Sequence, residues 1–213
     1  MNPQAPSVLV VRAGSTVTVR CRDGILDGRG VEHVVSILRQ ARDDGSDRVL
    51  IQLPRSLAGD VTMNSPSFIQ LLHELCTQDK PLVLAVDHDV CAGTVPMVVL
   101  SDFVVMAEQV QFSGGVTLVE PSIDAVVLQR LRLAMGHPKA FELAMLPRTL
   151  SAQECLRLGV VNQLCRTGDA AAVAQSMAEE VARLNRTEAW MLNRSFVGVS
   201  EQPGQCEPLL RTH

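Results

Sequence analysis

Short apolar segments alternate with longer amphipathic ones along the first part of the chain. SVLVVRA (7–13) and STVTVRC (15–21) are short and rich in β-branched residues, and Ala13 and Gly14 between them suit a turn. They predict a β-hairpin. From Gly30 to Arg42 the apolar residues recur with helical spacing, and the Asp-Asp-Gly sequence that follows predicts the end of a helix. The sheet therefore begins with a hairpin, after which the chain turns helical.

The next segments continue the alternation of strand and helix. DRVLIQL (47–53), LVLAV (82–86) and FVVM (103–106) are apolar almost without interruption, which is typical of buried strands. Two helices are predicted between them, across Pro66 to Gln78 and from about Ala92 to Ser101. Strands that alternate with helices usually pair in parallel. The pattern therefore predicts an α/β fold with a mainly parallel sheet.

The pattern of apolar residues is different in the last third of the chain. From Ala125 onward the pattern is almost wholly helical apart from short turns. No repeat, low-complexity tract or Pro-rich linker divides the sequence. We therefore predict one domain over residues 1–213, with a core over about 1–165 and a C-terminal helix and short tail over 166–213.

Composition and charge exclude several classes of partner. The 213 residues are 46% hydrophobic with a formal net charge of -4, and they carry no basic stripe or run of like charges. Nucleic acids and anionic membranes are therefore not expected as partners. The six cysteines show no CxxC pair and no metal-ligand spacing, and the amino terminus lacks the order of a signal peptide. These features predict a cytoplasmic protein with reduced cysteines and no metal site.

Two long stretches resemble a known family. KPLVLAVDHDVCAGTVPMVVLSDFVVMAEQVQFS (80–113) is similar in order and spacing to the central block of enoyl-CoA hydratases and isomerases. LQRLRLAMGHPKAFELAMLPRTLSAQECLRLGVVNQL (128–164) looks like a helical segment of the same family. Together with the SLAGDV turn, the resemblance covers about residues 15–195. It implies the ββα spiral of the crotonase superfamily, with a helical C-terminal region.

The resemblance also implies an oxyanion hole, in which two backbone N–H groups bind a thioester oxygen as it gains enolate charge. The family register assigns these donors to Leu57, ahead of the Ala-Gly pair in SLAGDV, and to Gly93, in the turn before a helix. Gly59 and Gly93 also have an ordinary alternative role as turn glycines.

The two glutamates that activate water in typical hydratases of this family fall on Pro96 and Val116. Neither side chain can transfer a proton, whereas general acid–base catalysis requires a titratable group at the reacting atoms. Hydration by the usual mechanism of the family is therefore not expected.

Asp124 is the candidate catalytic residue. Its spacing to the LQRL sequence resembles that of acidic residues in dienoyl-CoA and enoyl-CoA isomerases. An alternative is that Asp124 only caps a helix beginning near Ala125. Glu120 and His88 are possible secondary site residues, with an exposed loop charge and a solvent-facing turn histidine as their alternatives.

The resemblance gives two expectations for function. The first is an acyl-thioester enzyme that catalyses double-bond isomerisation or a related hydratase- or decarboxylase-type lyase step. The second is a catalytically weak accessory subunit of a polyketide-type biosynthetic complex. Coenzyme A or phosphopantetheine would enter only as part of the substrate, on acyl-CoA or on an acyl carrier protein, and no separate cofactor is expected. A homo-oligomer, with a trimer favoured, or a complex with a biosynthetic partner is also expected.

Overall fold

The computed structural model describes residues 7–44, 46, 48–58, 61–113 and 120–183. The strands are β1 (Val8–Ala13), β2 (Thr16–Cys21), β3 (Ile25–Leu26), β4 (Arg48–Gln52), β5 (Ser56–Leu57), β6 (Leu82–Val86), β7 (Phe103–Ala107), β8 (Gln111–Ser113), β9 (Thr149–Ser151) and β10 (Gln163–Cys165). The helices are α1 (Gly28–Asp43), α2 (Pro66–Cys76), α3 (Val95–Leu100), α4 (Pro121–Met135), α5 (His137–Met145), α6 (Ala152–Arg157) and α7 (Ala170–Val181).

Six strands form the main sheet, in the order β1-β2-β4-β6-β7-β10. β1 and β2 are the antiparallel hairpin expected from the sequence, and Gly14 adopts a φ of 58° in its turn, a conformation that favours glycine. The remaining neighbours pair in parallel. Every residue of β6 is buried, as its uninterrupted apolar sequence predicts. The mixed α/β architecture and the three predicted core strands are confirmed.

The helices cover the sheet with their apolar sides. α1 begins two residues before the predicted start, because the Asp27 carboxylate accepts a hydrogen bond from Gly30 N at 2.7 Å and caps the helix. α1 packs against α2, where Arg39 and Arg42 both pair with the carboxylate of Glu74. The two helices are thereby joined by charge as well as by apolar contact.

The prediction for the C-terminal third was incomplete in two respects. α4 begins at Pro121 rather than near Ala125. The region is also not wholly helical, because β9 pairs antiparallel with β8, and β10 adds a parallel strand beside β7. These strands have three residues each, which is too short to leave a periodic pattern in the sequence.

The C-terminal helix α7 lies on the main sheet and contacts β4, β6 and β7. Three alanines face the sheet, and all are fully buried: Ala170, Ala174 and Ala178. Small side chains allow the helix to approach the strands closely. The part of the predicted tail from residue 184 onward lies outside the described residues, so the proposed division at residue 165 stays a prediction.

Candidate active site

The first predicted donor, Leu57, lies on a short strand with one open edge. β5 pairs in parallel with β3, with Leu57 opposite Leu26, and Ala58 N donates to Leu26 O at 2.9 Å. Successive amides of an extended strand point in opposite directions. Because the Ala58 amide points toward β3, the Leu57 amide points away from it, on the edge that carries no strand in the described part of the chain. Gly59, which follows, lies outside the described residues.

The second predicted donor, Gly93, lies in the turn that leads into α3. Thr94 N and Val95 N both donate to Cys91 O, at 2.8 and 3.1 Å. The Gly93 amide, in contrast, has no hydrogen-bond acceptor among the described residues. A donor of this kind is available to a ligand, since protein amides that remain unsatisfied by the protein are usually exposed to solvent or to a bound group.

Leu57 and Gly93 are neighbours in space although 36 positions (93 − 57) separate them in the sequence. A Cβ atom added to Gly93 would lie 3.4 Å from Leu57 Cδ1 and 3.8 Å from Met63 Cγ. The α-carbon of Gly93 therefore faces the side chain of Leu57 and that of Met63, and the approach of Met63 was not expected from the sequence. The structure places the Leu57 side chain beside Gly93, and the convergence of the two N–H groups on one oxygen stays a prediction.

One of the two positions at which the family resemblance implies the hydratase glutamates is described. Pro96 occupies the first turn of α3 and is buried. It carries neither a titratable group nor an N–H. Val116, the other position, lies outside the described residues.

Asp124 is not the cap of its helix, contrary to one of the two alternatives drawn from the sequence. The N-cap of α4 is Glu120, and Asp124 N already donates to Glu120 O at 2.9 Å in the first turn of the helix. The side chain of Asp124 is partly buried and follows Ile123, which is fully enclosed. α4 packs against α3, the helix that follows Gly93, and against α2. Asp124 thus lies on a helix that packs against the helix following Gly93.

Glu120 has a structural role that the sequence analysis missed. Its carboxylate accepts hydrogen bonds from the hydroxyl of Ser122 at 2.5 Å and from the Ser122 amide at 3.4 Å, and it lies 3.0 Å from His73 Nε2. The Ser122 bonds, with a smaller contribution from His73, lower the pKa of Glu120. Such a carboxylate holds no proton at neutral pH. Pro121, a residue favoured at the first helical position, was the available sequence signal for this helix start.

His88 lies in the turn after β6 and is partly buried. Its two neighbours hold the turn in place, because the Asp87 carboxylate accepts from Gly168 N at 2.9 Å and the Asp89 carboxylate accepts from Gln111 N at 2.8 Å. Its proposed secondary role stays a prediction.

The described residues lack two further features. They contain no group of three or more His, Cys, Asp or Glu side chains arranged to hold a metal ion. Within the same ranges, no helix has the length and apolar character needed to cross a membrane.

Comparison with solved structures shows the fold. An enoyl-CoA hydratase/isomerase from Pseudoalteromonas atlantica superimposes with a TM-score of 0.78 at 21% identity, over 91% of this chain and 83% of that one. An enoyl-CoA hydratase from Mycobacterium marinum superimposes with a TM-score of 0.72 at 18% identity, over 90% and 99% of the two chains. The crotonase-type architecture inferred from the sequence is confirmed by these similarities.

Comparison of sequences extends the likeness to the family level. A Thermus thermophilus protein provisionally named an enoyl-CoA hydratase is 31% identical over 161 residues, which is 75% of this chain. The matched part spans 59% of that protein's length. The sequence model of the enoyl-CoA hydratase/isomerase family matches residues 53–207, a range that includes both candidate donors and Asp124. Because this match covers most of the chain and agrees with the fold, the protein belongs to the enoyl-CoA hydratase/isomerase family.

Proposed function

We propose that this protein acts on acyl thioesters and that the amides of Leu57 and Gly93 bind the thioester oxygen as it becomes an enolate. The observation that carries the proposal is the Gly93 amide, which has no acceptor among the described residues and lies beside Leu57. Amides held in advance toward a developing negative charge are effective because they need no reorganisation during the reaction. Loss of one such donor typically lowers turnover by about 10²- to 10³-fold.

Asp124 is proposed to move the proton. In a double-bond shift, its carboxylate takes a proton from one carbon of the acyl chain and returns it to another, so that substrate and product have the same atoms. A related hydratase- or decarboxylase-type lyase step would use the same enolate. The position of Asp124 on α4, packed beside α3, supports this role. Pro96 supports it indirectly, because it offers no proton at the place of a usual hydratase glutamate.

A panel of thioesters tests the proposal. Enoyl, dienoyl and 3-carboxyacyl thioesters, each prepared on coenzyme A and on carrier-protein phosphopantetheine, are incubated with the protein and followed by mass spectrometry and proton NMR. An unchanged mass with new alkene signals identifies an isomerase, addition of water a hydratase, and loss of carbon dioxide a decarboxylase. We expect the first result. If none of the thioesters is converted, the enzymatic proposal is wrong.

A second candidate function is supported by exposed apolar side chains on α5. Phe141 is 58% exposed, Met145 is 65% exposed one turn later, and Leu146 follows at 43%. We call these three residues the α5 apolar face. Phe141 and Met145 lie one turn apart on α5, and Leu146 is the first residue after it. Clusters of exposed apolar side chains commonly contact another protein. The α5 apolar face suits a homo-oligomer, with a trimer favoured, or an accessory subunit bound to a polyketide-type biosynthetic partner. A monomeric protein that converts thioesters alone would exclude the accessory role.

The remaining expectations stay predictions. Coenzyme A or phosphopantetheine would enter the site as part of the substrate, and we propose no separate cofactor. The cytoplasmic location is supported by the described cysteines, which are all free thiols: Cys21, Cys76, Cys91, Cys155 and Cys165.

A further inference from the structure

The turn that carries Gly93 is closed by the side chain of Thr94. The Thr94 hydroxyl donates to Cys91 O at 3.1 Å, and Cys91 N approaches the same hydroxyl oxygen at 3.3 Å. The backbone of Thr94 adds a third bond, from its N to Cys91 O at 2.8 Å. Thr94 is only 1% exposed, so water has little access to compete for these bonds. The buried residue Thr94 therefore forms hydrogen bonds with both the N–H and the C=O of Cys91.

The position of this hydroxyl is unusual for a threonine that begins a helix. Thr94 is the N-cap of α3, and an N-cap threonine ordinarily accepts from the second or third amide of the helix. The second residue of α3 is Pro96, which has no N–H, and the Thr94 side chain makes no capping bond. The hydroxyl instead bonds backward to the turn. Its role is therefore to hold the turn rather than to cap the helix.

The other side of the turn is also fixed. Val90 forms a parallel bridge with Phe112, in which Val90 N donates to Gln111 O at 2.9 Å and Ser113 N donates to Val90 O at 2.8 Å. The residue that precedes the turn, Val90, is thus hydrogen-bonded to β8. The chain leaves the turn through Thr94, which is held on Cys91. Between Val90 and Thr94 lie Cys91, Ala92 and Gly93.

The orientation of the Gly93 amide depends on this closure. When a turn closes between its first and fourth residues, the N–H groups of the two central residues remain outside the hydrogen-bonded ring. Gly93 is central in the turn from Cys91 to Thr94 and has no Cβ to restrict its backbone. Its peptide plane is therefore directed by the bonds that close the turn, including both bonds of the Thr94 hydroxyl.

We propose that Thr94 is a positioning residue, whose hydroxyl holds the Gly93 N–H in the direction needed to bind the thioester oxygen. This inference rests on the proposed oxyanion role of Gly93. Thr94 is not expected to touch the substrate, because its hydroxyl is buried and engaged with Cys91. A small misplacement of a catalytic donor is costly, with about 1 Å sufficient to lower the rate by about 10²-fold.

The test compares substitutions at two buried threonines. Thr94→Val keeps the shape of the side chain but removes the hydroxyl, Thr94→Ser keeps the hydroxyl, and Thr16→Val makes the same change in β2, where Thr16 is 2% exposed. Each protein is assayed for kcat and KM on a thioester that the parent converts. Folding is checked by circular dichroism and thermal unfolding. If Thr94→Val does not fold, Thr94→Ala is measured in its place.

We expect Thr94→Val to lower kcat by about tenfold or more while KM changes by less than about threefold, since the hydroxyl aligns a donor without binding substrate. Thr94→Ser should recover most of the kcat, and Thr16→Val should match the parent. A folded Thr94→Val protein with the kcat of the parent would overturn the positioning role and leave the proposed enzyme intact. Equal losses in Thr94→Val and Thr94→Ser would also overturn it, because the hydroxyl would then not be the cause. A parent that converts no thioester would overturn the proposed function and this inference together.

Discussion

At the scale of single residues, the structure assigns the capping of α4 to Glu120, whereas the sequence allowed Asp124 either to cap this helix or to transfer a proton. Glu120 begins α4 and pairs with Ser122 and His73, whereas Asp124 lies one turn inside the helix. An acid at the fourth helical position is not needed as a cap. Asp124 therefore does not cap α4, and its catalytic role stays a prediction.

Replacement of Asp124 by Asn tests its role in proton transfer. Asn has nearly the same size and keeps hydrogen-bonding groups, but it does not titrate. General acid–base residues commonly contribute about 10²- to 10⁴-fold, so we expect Asp124→Asn to lower kcat by that order with little change in the unfolding midpoint. The measurement is steady-state kinetics on a thioester that the parent converts.

Glu120→Gln provides a matched control, since it exchanges an acid for its amide on the same helix. We expect its kcat to remain close to that of the parent, because Glu120 is bound to Ser122 and His73. Its stability should fall slightly, by up to about 1 kcal/mol, through loss of a negative charge at a helix N-terminus. If Glu120→Gln loses turnover and Asp124→Asn does not, Glu120 replaces Asp124 as the proton carrier.

The two candidate donors, Leu57 and Gly93, could be predicted from the sequence because each lies at a fixed number of residues from a motif that resembles the family's. The role of Thr94 could not, because it depends on where one hydroxyl points once Pro96 has removed a helix amide. The contact of Met63 with Gly93 was equally hidden, since it joins residues 30 positions apart (93 − 63) through a turn. Side-chain contacts of this kind are formed only by the folded chain.

At the scale of elements, length decided what the sequence could predict. β4, β6 and β7 have five residues each, and a run of at least three consecutive apolar residues identified each of them. β3 and β5 have two residues each, and they pair because the chain brings distant segments together. A two-residue strand leaves no period in the sequence. The short pair nevertheless bears on the proposed site, because β5 carries the candidate donor Leu57.

The end of α1 provides a test of stability against pH. Asp44 accepts a hydrogen bond from Ser46 N at 2.8 Å and pairs with Arg12 of β1 at 2.6 Å. Hydrogen bonding from Ser46, followed by the Arg12 guanidinium, lowers the pKa of Asp44 to about 2. A depressed carboxyl pKa contributes stability that is present above the unfolded-state pKa, near 4, and is lost as the pH falls toward about 2.

We therefore expect Asp44→Asn to lower the free energy of unfolding at pH 7 by about 1–2 kcal/mol. The difference from the parent should shrink as the pH falls below about 4. Urea denaturation at several pH values measures both effects. Asp43→Asn, a change at the last residue of α1, is the control and should cost less at pH 7. A difference that is the same at pH 3 and pH 7 would contradict the assignment.

At the scale of the whole molecule, buried apolar side chains form one continuous cluster within the described residues. The α5 apolar face lies outside this cluster. On the same face of α5, Phe141 stacks against His137 with ring centroids 5.8 Å apart, yet its side chain remains largely exposed. We propose that this surface contacts another protein chain.

Self-association through the α5 apolar face is tested by Phe141→Glu. A charge placed within an apolar interface must be desolvated without a partner, which is unfavourable. We expect the parent to sediment as an oligomer, with a trimer favoured, and Phe141→Glu to sediment as a smaller species. Val11→Glu, on the edge strand β1 and 57% exposed in the parent, should leave the oligomer unchanged. A monomeric parent would contradict this assignment of the face.

The position of α7 has a consequence for the order in which the protein can fold. Arg48 Nη1 of β4 donates to Ala178 O of α7 at 2.8 Å, a bond between residues 130 positions apart. The sheet surface that α7 covers is therefore open to water throughout synthesis, until the ribosome has released about the last turn of this helix. Contacts between such distant segments form slowly, and an uncovered apolar sheet is prone to aggregate during the delay. The nascent chain thus passes through a vulnerable stage that ends only when α7 docks.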